Sequence, residues 1–232
     1  MIQRGILRQK GAPPKQKLPI TVPILLDIYK TLTNSPADRA FWAACLIAYY
    51  GFLRKSTLLP SSPELIAGKY IARGDVLNLN LSSFLLRIRF SKTNQFGQRV
   101  LTLPYVMCGD FRLCPVRALL THFGASKLPE LRPLFNFVEQ GTEKKFSHAF
   151  FMSQLRVSLR RSGNNAVDIS CHSFRRGGAT LAYEVGLSAT DIKLRGDWKS
   201  NAYERYLCVS AQTSLESARS LAIGVANQTG SR

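Results

Sequence analysis

Cys171-His172-Ser173-Phe174-Arg175-Arg176-Gly177-Gly178 is the stretch on which the reading of this chain turns. A histidine three residues ahead of an arginine puts both side chains on one face at the start of a helix, because positions i and i+3 are neighbours on a helix surface. Both residue types bind phosphate. Downstream come Gly196-Asp197-Trp198-Lys199-Ser200 and then two tyrosines, Tyr203 and Tyr206.

The rest of the composition limits what such a motif can serve. A chain of 232 residues, 45% of them hydrophobic, buries a full core and reads as one domain with a short leading arm. Thirty-two Lys and Arg against fourteen Asp and Glu give a net charge of +18, and the basic residues recur from Arg4 to Arg219 instead of gathering in one tail. A fold carrying that charge repels itself unless it meets a polyanion, so nucleic acid is the leading partner and an anionic membrane surface the lesser one. Phosphate contacts of this kind weaken steeply with salt. The five cysteines are odd in number and form no CxxC pair, which reads as buried reduced thiols, with no disulfide and no metal site. The apolar residues 40–53 are too few to span a bilayer, and the basic, proline-containing start does not resemble a signal peptide.

Residues 1–19, with Lys10, Lys15, Lys17, Pro13, Pro14 and Pro19, read as an extended basic linker. Thr21, Pro23 and the spacing of Ile24, Leu25, Ile28 and Leu32 predict a capped amphipathic helix that stops near Asn34-Ser35-Pro36. A second helix is expected over 36–52, turning Phe41, Trp42, Leu46, Ile47 and Tyr50 inward, with Arg54 where it ends. Strands follow at 76–81, at 84–90 where Leu86, Ile88 and Phe90 alternate, and at 99–103 beyond a turn at 94–97. They form a small antiparallel sheet of about three strands, with Lys92 at the mouth of its second hairpin. Beyond Cys114-Pro115 the pattern is helical at 116–123, 147–161, 173–185, 188–194 and 201–207. A last candidate, 213–226, gathers Leu215, Ala218, Leu221, Ala222 and Val225 on one side. The fold class is therefore α+β and mostly α-helical.

Four phrases then fall into a known order: Tyr50-Gly51-Phe52-Leu53-Arg54, Ser91-Lys92-Thr93, the His172 to Gly177 run, and Trp198-Lys199-Ser200-Asn201-Ala202-Tyr203-Glu204-Arg205-Tyr206. In this order they resemble the catalytic domain of the tyrosine recombinases, the family of phage integrases. The wording is similar to recombinases of eukaryotic mobile elements, the Crypton, Ngaro and DIRS-like groups. The resemblance covers about residues 20–210, leaving 1–19 as the arm and 211–232 as a C-terminal helix and tail.

The resemblance implies roles that agree with the chemistry of the residues. Arg54 and Arg175 match the two catalytic arginines, whose planar forks clamp the non-bridging oxygens of a scissile phosphate in its transition state. His172 is expected to hydrogen-bond the phosphate or assist proton transfer. Lys92 matches the hairpin lysine that protonates the departing 5′ oxygen. Trp198 stands where many members have a second histidine; its indole N–H donates but cannot shuttle a proton. Tyr203 and Tyr206 are both candidate nucleophiles by residue type, and the family's Arg-Tyr-hydrophobic phrase selects Tyr206, leaving Tyr203 as a packing residue. Thr57 departs from the acidic residue that many bacterial and phage relatives carry three positions after the first arginine.

The implied reaction uses no metal and no other cofactor: a 3′-phosphotyrosyl link forms, a 5′ hydroxyl leaves, and a second DNA end reseals the strand. The implied partners are double-stranded DNA and further copies of the chain, as a tetramer on DNA, with 213–226 either docking on a neighbour or packing as a core helix of its own chain; the implied location is nuclear. Arg87, Arg89, Lys144, Lys145, Arg156, Arg160 and Arg161 are candidates for following the DNA backbone. The rival readings are a descendant that binds DNA without cutting it and a type IB topoisomerase. The family's upstream clamp domain has no counterpart in these residues.

Overall fold

Ser35 accepts a hydrogen bond from the Asp38 N–H at 3.1 Å and, with Pro36 behind it, starts the helix around which the domain is organised. The computed structural model describes residues 16–60, 69–90 and 100–207, together with 213, 215, 218–220, 222 and 223. Two helices open it, α1 (Val22–Lys30) and α2 (Pro36–Tyr50). Every residue of α2 from Ala40 to Tyr49 is buried, so this helix is apolar all round and runs through the core between α4 (Pro115–Ala125) and α6 (Cys171–Glu184). It ends at Tyr50, two residues short of the expectation, where the chain turns into α3 (Lys55–Leu58), a single turn that the sequence did not suggest.

The sheet is antiparallel in the order β1 (Val76–Leu77), β2 (Ser83–Ile88), β3 (Leu101–Val106). Leu86 opposes Leu103 and Phe84 opposes Tyr105, so the alternating apolar residues of both strands share the buried face. The Phe84 and Tyr105 rings stack with centroids 4.6 Å apart, a pair worth about 1 kcal/mol beyond its buried area. The first strand is shorter than expected because Asn78 turns with φ 53°. The expected turn at 94–97 lies outside the described residues. A second hairpin, β4 (Phe137–Glu139) and β5 (Thr142–Lys144), was not anticipated; its strands are too short to show alternation.

The remaining helices are α5 (His148–Arg161) and α7 (Ala189–Gly196), capped by Ser147 and Ser188. Residues 201–207, expected as a helix, form a 3-10 segment at Asn201–Tyr206. The glycines of the opening motif have a steric reason. A Cβ on Gly177 would collide with the Ile20 carbonyl, and one on Gly178 with the Tyr49 carbonyl, so α6 lies with its backbone against the chain entry and the end of α2. Gln16 to Pro19, read as linker, already run beside this helix start: Leu18 donates to the Asp168 carbonyl at 2.8 Å and Ile20 to the Ser173 carbonyl at 2.9 Å. In the terminal stretch Leu215 and Ile223 are helical and exposed. Among the described residues no helix is long and apolar enough to cross a membrane.

A buried histidine gives the fold a pH dependence. His122 on α4 is fully buried, its Nε2 bonded to the Leu134 carbonyl at 3.0 Å, and burial pushes its pKa down to about 4. Between pH 6.5 and 4 the unfolded chain takes up a proton that the native chain refuses, so stability falls as pH falls through that window. Replacement by glutamine, which keeps a donor for the carbonyl, should remove about 3 kcal/mol of the loss between about pH 7 and 4, measured by urea unfolding of both proteins at each pH.

Candidate active site

Two arginines more than a hundred residues apart in sequence meet in one narrow cleft. Arg54 precedes α3 at the end of the α2 turn, and Arg175 projects from the first turns of α6. Leu53, Thr57, Ile88, Leu101, Arg195, Gly196 and Asp197 complete the lining. Thr57 is buried there. Residues 91–99, with Lys92, lie outside the described residues, and the end of β2 before them, Ile88, and the start of β3 after them, Leu101, both line the cleft.

Arg175 is 1% exposed. Its Nη1 donates to the Phe52 carbonyl and its Nη2 to the Gly196 carbonyl at 2.8 Å. The guanidinium lies 3.5 Å from the Trp198 ring centroid and 5.2 Å from that of Tyr206. Trp198 and Tyr206 meet edge to face at 5.3 Å. A small second core of Phe52, Ala179, Ala182, Ile192, Trp198 and Tyr203 supports this arrangement, with Tyr206 and Leu207 packed on it. Tyr203 is 7% exposed and faces the Trp198 ring, whereas Tyr206 lies beside Arg175. Burial pushes the Arg175 pKa down to about 9; the charge of Arg54 adds to the fall, and the Tyr206 hydroxyl opposes it.

Among the described residues several donors in this cluster have no acceptor. Arg175 Nε and Trp198 Nε1 are buried without a hydrogen-bond partner, and the Arg54 guanidinium makes no hydrogen bond among the described residues. Each buried unpaired donor costs about 1–3 kcal/mol. Two like charges and an orphaned indole N–H are therefore held together at a cost that an arriving anion relieves.

His172 lies one turn before Arg175 on α6 and is exposed, engaged in contacts of its own. Its neighbour Cys171 is no competing nucleophile, because burial pushes that thiol up to about 12. Among the described residues no group of His, Cys, Asp and Glu can hold a metal ion.

The candidate DNA contacts separate into two sets. Arg87 and Arg89 both donate through Nε to Asp75, at 3.1 and 2.9 Å, a structural ion pair that their sequence positions did not reveal. Arg156 and Arg160 are exposed along a groove on α5 with His148, Met152 and Ser153. The His148 pKa is lowered by burial and then by the charges of Lys55 and Arg156. Lys144, Lys145 and Arg161 are exposed. Sequence reasoning missed Arg195, which immediately precedes the phrase beginning at Gly196, and gave Asp197, inside that phrase, no role.

No protein-family model matches the chain, and no characterised protein matches it in sequence. Its shape is similar to the XerH site-specific recombinase in a post-cleavage complex with its palindromic difH substrate, with a TM-score of 0.63 at 14% identity over 90% of this chain and 54% of that one. A lambda integrase dimer bound to a COC′ core site gives 0.61 at 16% identity, over 89% and 52% of the two chains. The XerA recombinase gives 0.59 at 14%, over 97% and 68%. The chain spans about half the length of the XerH and lambda integrase chains it matches. The fold is that of a tyrosine recombinase catalytic domain.

Proposed function

We propose that this domain cuts and rejoins DNA as a site-specific recombinase of a mobile element, through a 3′-phosphotyrosyl intermediate. The observation that carries the reading is the pairing of Arg54 with Arg175 under Trp198 and Tyr206, with donors left unpaired around them. A phosphodiester in the cleft gives those donors their acceptor and takes both positive charges, and the charge that builds on the phosphorus oxygens is met by the same groups. Tyr206 gives up its hydroxyl proton to solvent and attacks phosphorus, the bond to the 5′ oxygen breaks, and Lys92 supplies the proton to that oxygen. His172, exposed at the start of α6, donates to the phosphate from the outer side.

Arg175 is covered by Trp198 and Tyr206, so entry of a phosphate requires Asn201–Tyr206 to shift outward. Thr180 Oγ1 reaches the Tyr206 carbonyl only at 3.5 Å, a weak restraint on such a movement. DNA backbone runs from the cleft onto the α5 groove past Arg156 and Arg160. The exposed Leu215 and Ile223 suit contact with a second copy. The test is incubation with nicked suicide duplexes of randomised sequence in buffer containing a chelator, followed by denaturing electrophoresis. A covalent adduct with recurrent flanking sequence is expected. Salt-sensitive binding with no adduct would instead favour a protein that binds DNA without cutting it.

A further inference from the structure

We infer that Arg195 is a positioning residue for the strand transfer proposed above: it staples the segment bearing Trp198 and Tyr206 to the two elements that frame the cleft. Arg195 stands in the last turn of α7. Its Nε donates to the carbonyl of Tyr50, the last residue of α2, and its Nη2 donates to the Pro104 carbonyl of β3 at 2.9 Å. The guanidinium lies 5.6 Å from the Tyr105 ring centroid and 5.9 Å from that of Phe52. Tyr105 is itself fixed, buried and donating to the Ile47 carbonyl at 3.0 Å. One side chain thus joins α7, the end of α2 and the sheet.

The residues just after Arg195 give the staple its purpose. The carbonyl of Gly196 is the acceptor that orients Arg175 Nη2. A Cβ at Gly196 would strike the Trp198 ring, so the backbone here lies directly beneath the indole. Asp197 turns the chain with φ 54° and sends Trp198 over Arg175. The position of the clamping arginine and of its cover therefore depends on where α7 ends, and Arg195 fixes that end. The carbonyl of Tyr50 belongs to the last turn of α2, where carbonyls lack intrahelical partners. Two carbonyls on different elements need two donors in fixed relation, which the guanidinium fork provides and an ammonium does not.

Arg195→Lys keeps the charge and loses the fork. Its rate of adduct formation in a single turnover should fall about 100-fold, the size expected when reacting groups are displaced by about an ångström. DNA affinity should change less than about threefold, because the count of positive charges is unchanged. Retention of the wild-type rate in Arg195→Lys would overturn the inference, since the charge alone would then suffice. A rate loss that disappears on cooling, in step with recovery of the folded fraction, would also overturn it. Fluorine NMR of protein labelled with fluorotryptophan gives a readout independent of activity, because the chain holds only Trp42 and Trp198. The Trp198 resonance should shift and broaden in Arg195→Lys while that of Trp42 stays in place. An unmoved Trp198 signal would refute the positioning role even if wild type forms no adduct, and absence of that adduct would count against the recombinase reading alone.

Discussion

Arg175→Lys is expected to lose adduct formation by about three orders of magnitude while remaining folded, the magnitude seen when a preorganised donor to a developing oxyanion is removed. Lysine can satisfy one of the carbonyls of Phe52 and Gly196, but not both, and it presents no flat face to Trp198. The lost hydrogen bond should cost about 1 kcal/mol of stability. The alanine variant is a poorer test, since it leaves both carbonyls unpaired beneath a cavity and confounds lost chemistry with unfolding. Single-turnover rates measured beside urea unfolding separate the two effects. A stability loss with an unchanged rate would remove Arg175 from the chemistry.

Arg54→Gln should divide function from stability in the opposite sense. The charge of Arg54 pushes the Arg175 pKa down, so the pair repels while the cleft holds no anion. Removing one charge relieves that repulsion, and because Arg54 is half-exposed the gain is screened to at most about 1 kcal/mol. Adduct formation should still fall about 100- to 1000-fold, because half of the phosphate clamp is gone. A variant that is more stable and nearly inactive marks a residue kept for its ligand. Parallel loss of stability and rate would show Arg54 to be a structural arginine.

Much of the fold is legible because its boundaries rest on local chemistry. Ser35, Ser147 and Ser188 cap helices as their residue types predict, Pro36 and Pro115 sit at helix starts, and the alternation through Leu86 and Ile88 faces the core. α6 begins at Cys171, two residues before its expected start, because Ser173 turns its hydroxyl back to the Ser170 N–H at 3.0 Å. The hairpin β4–β5 and the single turn α3 are too short to carry a period, so nothing local announces them.

The site was legible only in part, and for a different reason. Arg54, Arg175, Trp198 and Tyr206 come together by tertiary packing, and their meeting could be expected from a resemblance but not from spacing. The pairing of Arg87 and Arg89 with Asp75 depends on the turn before β1, which local sequence does not determine. Arg195 escaped notice because its partners are backbone carbonyls, which have no residue signature at all.

Tyr206, resting against Arg175 and Trp198, is the group assigned to take the DNA strand. Mass spectrometry of the covalent adduct after trypsin and nuclease digestion reads that assignment at the residue itself. A nucleotide remnant on Tyr206 is expected, with Tyr206→Phe forming no adduct and Tyr203→Phe still forming it. A remnant on Tyr203 or on any other residue would contradict the assignment.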